Sequence, residues 1–163
     1  MVADGKTPTV AASEWLTAVD DLLLRASGSV HRPVLLLYLL GRAQRREPRE
    51  VAFVDVELGI KKALQAMGSA KRADPLLPFW HMQSSPFWEV FGSDALPDRE
   101  STARPTRRAL LQAKGALRAG WWAVLLGDDE LVAKLGEQIL IHLRPAGDEE
   151  RAAAARLVGF KRA

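Results

Sequence analysis

Between Pro33 and Gly41 stand seven apolar residues in a row, Val-Leu-Leu-Leu-Tyr-Leu-Leu. A helix built on that run is apolar on nearly every side, so it must be buried over most of its circumference. It is also far too short to cross a bilayer, which needs roughly 20 such residues. The stretch therefore predicts an interior helix of a globular domain. His31-Arg32-Pro33 opens it, and Pro33 suits the first helical position, where the missing N–H leaves no bond unmade. The helix closes in a basic tract, Arg42, Arg45 and Arg46, ahead of Pro48.

The chain has 163 residues, 48% of them apolar, which is enough for one domain with a real core and too many for a disordered chain. A first helix is predicted from Thr9 or Ser13, with Trp15, Leu16, Val19, Leu22 and Leu23 at helical spacing and a stop at Gly28-Ser29. Asp55 is expected to cap a third helix over 56–67, with Val56, Ile60, Leu64 and Met67 inward and Gly68-Ser69 as its stop. In residues 75–91, aromatic and β-forming residues flank Ser84-Ser85, which predicts a β-hairpin. Pro78 and Pro86 restrict its strands to short or edge strands. A fourth helix is expected from Thr106 to Leu117 behind Pro105. Trp121 to Leu126 forms a short apolar segment, and Gly127-Asp128-Asp129 caps a helix carrying Leu131, Leu135, Ile139, Leu140 and Leu143. Residues 146–163, charged and alanine-rich, read as a linker or C-terminal helix after a domain spanning 1–145. The resulting fold class is mainly α with a small antiparallel hairpin or sheet, winged-helix-like by analogy.

Net charge is +3, but it is unevenly placed. Residues 61–118 carry ten basic and five acidic side chains, while the segments on either side are each slightly acidic. The cations there are Lys61, Lys62, Lys71, Arg72, Arg99, Arg104, Arg107, Arg108, Lys114 and Arg118. Such a local excess suits either solvated helix faces or a polyanion partner.

Catalysis finds no footing. Cysteine is absent, which excludes disulfides, thiol catalysis and thiolate-based zinc sites. His31, His81 and His142 stand at no metal-ligand spacing, and no nucleophile elbow or phosphate-cradling glycine loop is present. Asp128-Asp129-Glu130 is better explained as a helix cap than as a metal-holding acid cluster. The expectation is a binding module with no cofactor and no metal. The N-terminus has no apolar signal core, so a soluble cytoplasmic protein is expected. Two segments stand out as binding candidates. His31 and Arg32 would add donors to the anion-attracting N-terminus of the apolar helix. Leu77, Pro78 and His81 could form an exposed apolar notch beside a cationic surface, suited to a ligand both anionic and greasy.

Taken together, these segments resemble a known family. His31-Arg32-Pro33 before the leucine run, then Pro78-Phe79-Trp80-His81-Met82-Gln83, then Trp88-Glu89-Val90 are similar in order and spacing to the sulfur-binding domain of phosphorothioate-dependent HNH restriction endonucleases of the McrA-like, type IV kind. The likeness runs over roughly residues 12–145. It implies a domain that binds double-stranded DNA in which a non-bridging phosphate oxygen is replaced by sulfur, with no membrane partner and an HNH nuclease domain in cis. Either that nuclease follows residue 163, or the chain is a stand-alone reader. The family's sulfur pocket carries over to Pro78, with Leu77 and His81 beside it. The phosphate contacts carry over to His31 and Arg32, with Arg104, Arg107 or Arg108 as a further arginine. Gln83, Ser84 and Ser85 would reach base edges. The chain departs from the family's pattern at Leu77, where members often carry an aromatic or charged residue, and at Ser84-Ser85.

The physics of such a pocket is simple. Sulfur is larger and softer than oxygen and accepts hydrogen bonds poorly, so an apolar cup favours it. Burying about 40 Å² of it contributes roughly 1 kcal/mol. An oxygen placed there without a donor costs about 1–3 kcal/mol. The sum corresponds to roughly 10- to 1000-fold discrimination. The alternatives are a winged-helix-like module for ordinary DNA or a protein partner, and a small hydrolase with an unfamiliar site.

Overall fold

The computed structural model describes residues 10–26, 29–67, 76–98, 103–143 and 147–162. Gly28, Gly68-Ser69, Lys71, Arg72, Pro75 and Arg99, singled out above, lie outside these. Among the described residues the helices are α1 (Ala12–Ala26), α2 (His31–Gln44), α3 (Phe53–Ala66), α4 (Leu76–His81), α5 (Arg107–Leu111), α6 (Ala119–Leu126), α7 (Asp129–His142) and α8 (Asp148–Val158). Three short strands, β1 (Glu50–Ala52), β2 (Trp88–Phe91) and β3 (Lys114–Leu117), form one antiparallel sheet in the order β1-β3-β2. The fold is mainly α with a small antiparallel sheet, as the sequence implied.

The apolar run forms the centre. Every residue from Pro33 to Leu40 is buried, and α1, α3, α4, α6, α7 and α8 all pack on α2. The helix is covered on all sides because it presents no polar stripe to water. Where the run ends, Gly41 lets the backbone of Gly159 come close, since a Cβ would stand 2.7 Å from the Gly159 carbonyl oxygen. Gly159 itself takes a left-handed conformation, φ 77°, and closes α8 by letting Phe160 N donate to Ala155 O at 2.8 Å. Residues 148–158, expected as linker or C-terminal helix, are thus a helix that docks on α3 and α2, with Ala154, Ala155 and Val158 buried.

The hairpin expected over 75–91 is not what forms. Its first limb is helical: α4 runs into a single 3₁₀ turn, Met82–Ser84, and only Trp88–Phe91 is a strand. Pro78 is compatible with this because it lies in the first turn of α4, where its missing N–H has no intrahelical partner. Burial decides the matter. Phe79, Trp80, Met82 and Gln83 face inward at helical spacing, whereas a strand would have turned alternate residues outward. Phe79 packs edge-on against Phe53 and Trp88, at 5.1 and 5.4 Å between ring centres. Trp88 Nε1 donates to Phe79 O at 2.8 Å.

The helix expected from Thr106 to Leu117 is also shorter. Thr106 caps it, its side chain accepting from Ala109 N at 3.1 Å, but α5 ends at Leu111 and Lys114–Leu117 is the central strand. Gly115 explains the change. It pairs with Val51 on one side and Val90 on the other, and a Cβ there would collide with the rings of Trp88 and Phe79. Pairing on both edges and close ring packing outweigh the local helical pattern. The third helix begins earlier than expected, at Phe53, with Asp55 inside its first turn rather than capping it. Asp128 does cap α7, accepting from Leu131 N at 3.0 Å.

Candidate nucleic-acid interface

In the helix α4, Pro78 and His81 are three residues apart and Leu77 and His81 four, so all three share one face. In a strand Pro78 would have pointed away from the other two. Leu77 and Pro78 are half-buried and His81 is exposed, while the opposite face of the helix is locked into the core. The helical form therefore puts all three residues on one face, which the expected hairpin would not.

Positive charge from two other elements reaches His81. Helix α2 packs on α4, and Arg32 in its first turn acts on His81, as does Arg104 from the segment leading into α5. Partial burial, and then the positive fields of Arg32 and Arg104, hold the His81 imidazole below the usual histidine range. His31 is the first residue of α2, with Nδ1 3.3 Å from Ser29 Oγ, and its backbone N donates to the same oxygen at 3.4 Å. Ser29, read from the sequence only as a helix stop, thus orients His31. A serine two residues ahead of a helix-opening His-Arg-Pro was the available signal.

The family assignment rests on the sequence of the domain as a whole. The family described as the ScoMcrA-like DNA sulfur-binding domain matches residues 11–143. The chain belongs to this family. Among solved structures, the sulfur-binding domain of ScoMcrA complexed with phosphorothioated DNA is 26% identical at a TM-score of 0.65, over 80% of this chain and 87% of that one. The sulfur-binding domain of SprMcrA, also complexed with phosphorothioated DNA, shares the fold at 20% identity and a TM-score of 0.67, over 94% of this chain and 98% of that one. The type IV phosphorothioation-dependent restriction endonuclease ScoMcrA matches with 24% identity and a TM-score of 0.67, and this chain spans 28% of its length. No curated protein sequence matches significantly.

Several candidate residues of this sulfur-binding domain stand elsewhere than the sequence suggested. Gln83, expected to reach base edges, is buried. Its Nε2 donates to Trp80 O at 3.1 Å and its Oε1 accepts from Val90 N at 3.2 Å, so it ties α4 to β2. Ser84 is exposed and Ser85 half-buried, and both follow α4 directly instead of capping a hairpin. Of the three arginines considered, Arg104 is the one that acts on His81. Arg107 forms a two-pronged pair with Glu57 of α3, at 2.5 and 2.7 Å, and holds the Glu57 carboxyl below the usual carboxylate range. Arg108 is exposed on α5. Among the described residues no group of side chains is arranged to hold a metal ion, and no helix is long and apolar enough to cross a membrane.

Proposed function

We propose that this chain binds double-stranded DNA carrying a backbone phosphorothioate, as the targeting domain of a modification-dependent restriction endonuclease. The sulfur rests on the Leu77–Pro78–His81 face of α4. Arg32, Arg104 and His31 take the phosphate, and Ser84 and Ser85 lie next to the flanking bases. Arg108 adds backbone contact. An HNH nuclease domain in the same protein cuts, and the chain itself has no catalytic role. A reader of DNA of this kind works in the cytoplasm.

One observation carries this reading: in a chain of the sulfur-binding family, Leu77, Pro78 and His81 share one face of α4, and the positive fields of Arg32 and Arg104 reach His81 from two separate elements. The division of labour follows from that geometry. Arginines attract any DNA backbone, and the attraction weakens with salt. The apolar face discriminates, because an oxygen loses hydration there without gaining a donor while sulfur loses little. Phosphate contacts set position and base contacts set sequence.

The test is a binding titration with paired duplexes of one sequence, one bearing sulfur and one oxygen, at matched salt. The sulfur duplex should bind roughly 10- to 1000-fold more tightly. Equal affinity for the two overturns the proposal and leaves a reader of ordinary DNA. No binding to either leaves a protein-binding module.

A further inference from the structure

His81 differs from the other residues of the notch in being ionisable. Leu77 and Pro78 are apolar under all conditions, but the imidazole beside them has two forms. Among the described residues the charges acting on it are Arg32, from α2, and Arg104, from the segment before α5, and both are positive. His31, next to Arg32, is the other titratable group at this end of α2. Burial and the two arginines together disfavour a third positive charge and hold the imidazole below the usual histidine range.

We infer that His81 is a specificity-determining residue: its neutral ring keeps the notch poor in donors and so selective for sulfur, and its protonation admits ordinary phosphate. This rests on the proposed function. Protonation turns both ring nitrogens into donors and adds a charge. An oxygen seated on the notch then receives a charge-assisted hydrogen bond that replaces its lost hydration. Sulfur, a poor acceptor, gains less from the same donor. Both duplexes bind more tightly as pH falls, because the added charge faces an anion, but the unmodified one gains more. Selectivity therefore declines on acidification while total affinity rises.

The experiment measures dissociation constants of the whole chain for the paired sulfur and oxygen duplexes at about pH 8 and about pH 4.5, at constant ionic strength, the lower point lying well below the usual histidine range because His81 is depressed from it. The wild-type selectivity ratio should fall by about tenfold at the lower pH, mainly through tighter binding of the oxygen duplex. In His81→Ala the ratio should be the same at both pH values. His31→Ala should bind both duplexes more weakly yet keep the pH-dependent fall, which assigns the effect to the correct histidine. His81 is exposed, so an unchanged melting temperature is expected of its variant, and His81→Gln offers a second neutral side chain. A wild-type ratio that ignores pH, or one that falls equally in His81→Ala, overturns the inference alone. Equal binding of the two duplexes already at the higher pH overturns the proposed function as well.

Discussion

At the C-terminal end of α2, Arg42, Arg45 and Arg46 crowd together with Arg49 just beyond, whereas the N-terminal end has Arg32 and the histidine before it. By charge density the C-terminal end is the better place for a polyanion. Yet each of its arginines is occupied. Arg42 reaches Glu47 at 2.9 Å and Pro48 O at 2.8 Å. Arg45 holds Glu47 at 2.5 Å and the carbonyl of Gly159. Arg46 donates to Leu126 O at 2.6 Å, and Arg49 to Leu117 O at 3.0 Å. These guanidinium groups pin α6, α8 and β3 to the end of α2, where cations also complement the helix dipole. Arg32 and Arg104 are engaged by no carboxylate among the described residues. Counting charges does not locate a binding surface; what matters is which charges the fold leaves available.

The largest expected effect comes from Pro78. Pro78→Asp puts a carboxylate on the face proposed to hold the sulfur, and should abolish the preference for the sulfur duplex, a loss of about 1–4 kcal/mol in discrimination. Competition between labelled and unlabelled duplexes measures it, and a surviving preference would remove the α4 face from the site. Next comes Gly115→Ala, which forces a methyl group against Trp88 and Phe79. It should destabilise the domain by about 1–3 kcal/mol in urea unfolding. Because Phe79 anchors α4, it should also loosen DNA binding near the melting point. An unaltered unfolding midpoint would show that the rings have room to move.

The comparison between the two ends of α2 is tested by a crossed pair of variants. Arg32→Ala should weaken DNA binding, flatten its salt slope by about 1, and leave the melting temperature unchanged. Arg45→Ala should leave the salt slope unchanged and lower stability by about 1–2 kcal/mol through its lost contacts to Glu47 and Gly159. If the two results were exchanged, the assignment of the ends would be reversed.

The smallest effect concerns the pair of Arg107 and Glu57. The Glu57 carboxyl lies below its usual 4.5 when folded, with its hydrogen bonds to Arg107 as the main cause. A depressed carboxylate contributes stability above the usual value and loses it as pH falls through the folded value. Arg107→Ala should therefore lower stability by about 0.5–1 kcal/mol at neutral pH, and this difference should vanish as Glu57 protonates in acid. Arg107→Ala should change DNA affinity less than Arg32→Ala. A larger loss of affinity would return Arg107 to the interface.

Much of the architecture could be read in advance wherever one local pattern stood alone. The Val34–Leu40 run had to be interior, Gly127-Asp128-Asp129 had to cap α7, and the order of His31-Arg32-Pro33 and Pro78-Phe79-Trp80 pointed to the family. The reading failed where two patterns competed. Aromatic residues around Ser84-Ser85 suggested strands, but Phe79, Trp80, Met82 and Gln83 are buried together only if that segment is a helix. Lys114–Leu117 continued a helical pattern, but two neighbouring strands capture it.

The sequence by itself determined that α2 is central, that no thiol chemistry is present, and which segments carry the family resemblance. These follow from composition and short-range spacing, which do not depend on neighbours distant in the chain. Only the tertiary structure decided that Leu77, Pro78 and His81 share a face, that Gln83 turns inward, and that Arg107 meets Glu57. The reason is physical: a side chain's role depends on which partners reach it, and those partners are brought by packing from elements far apart in sequence.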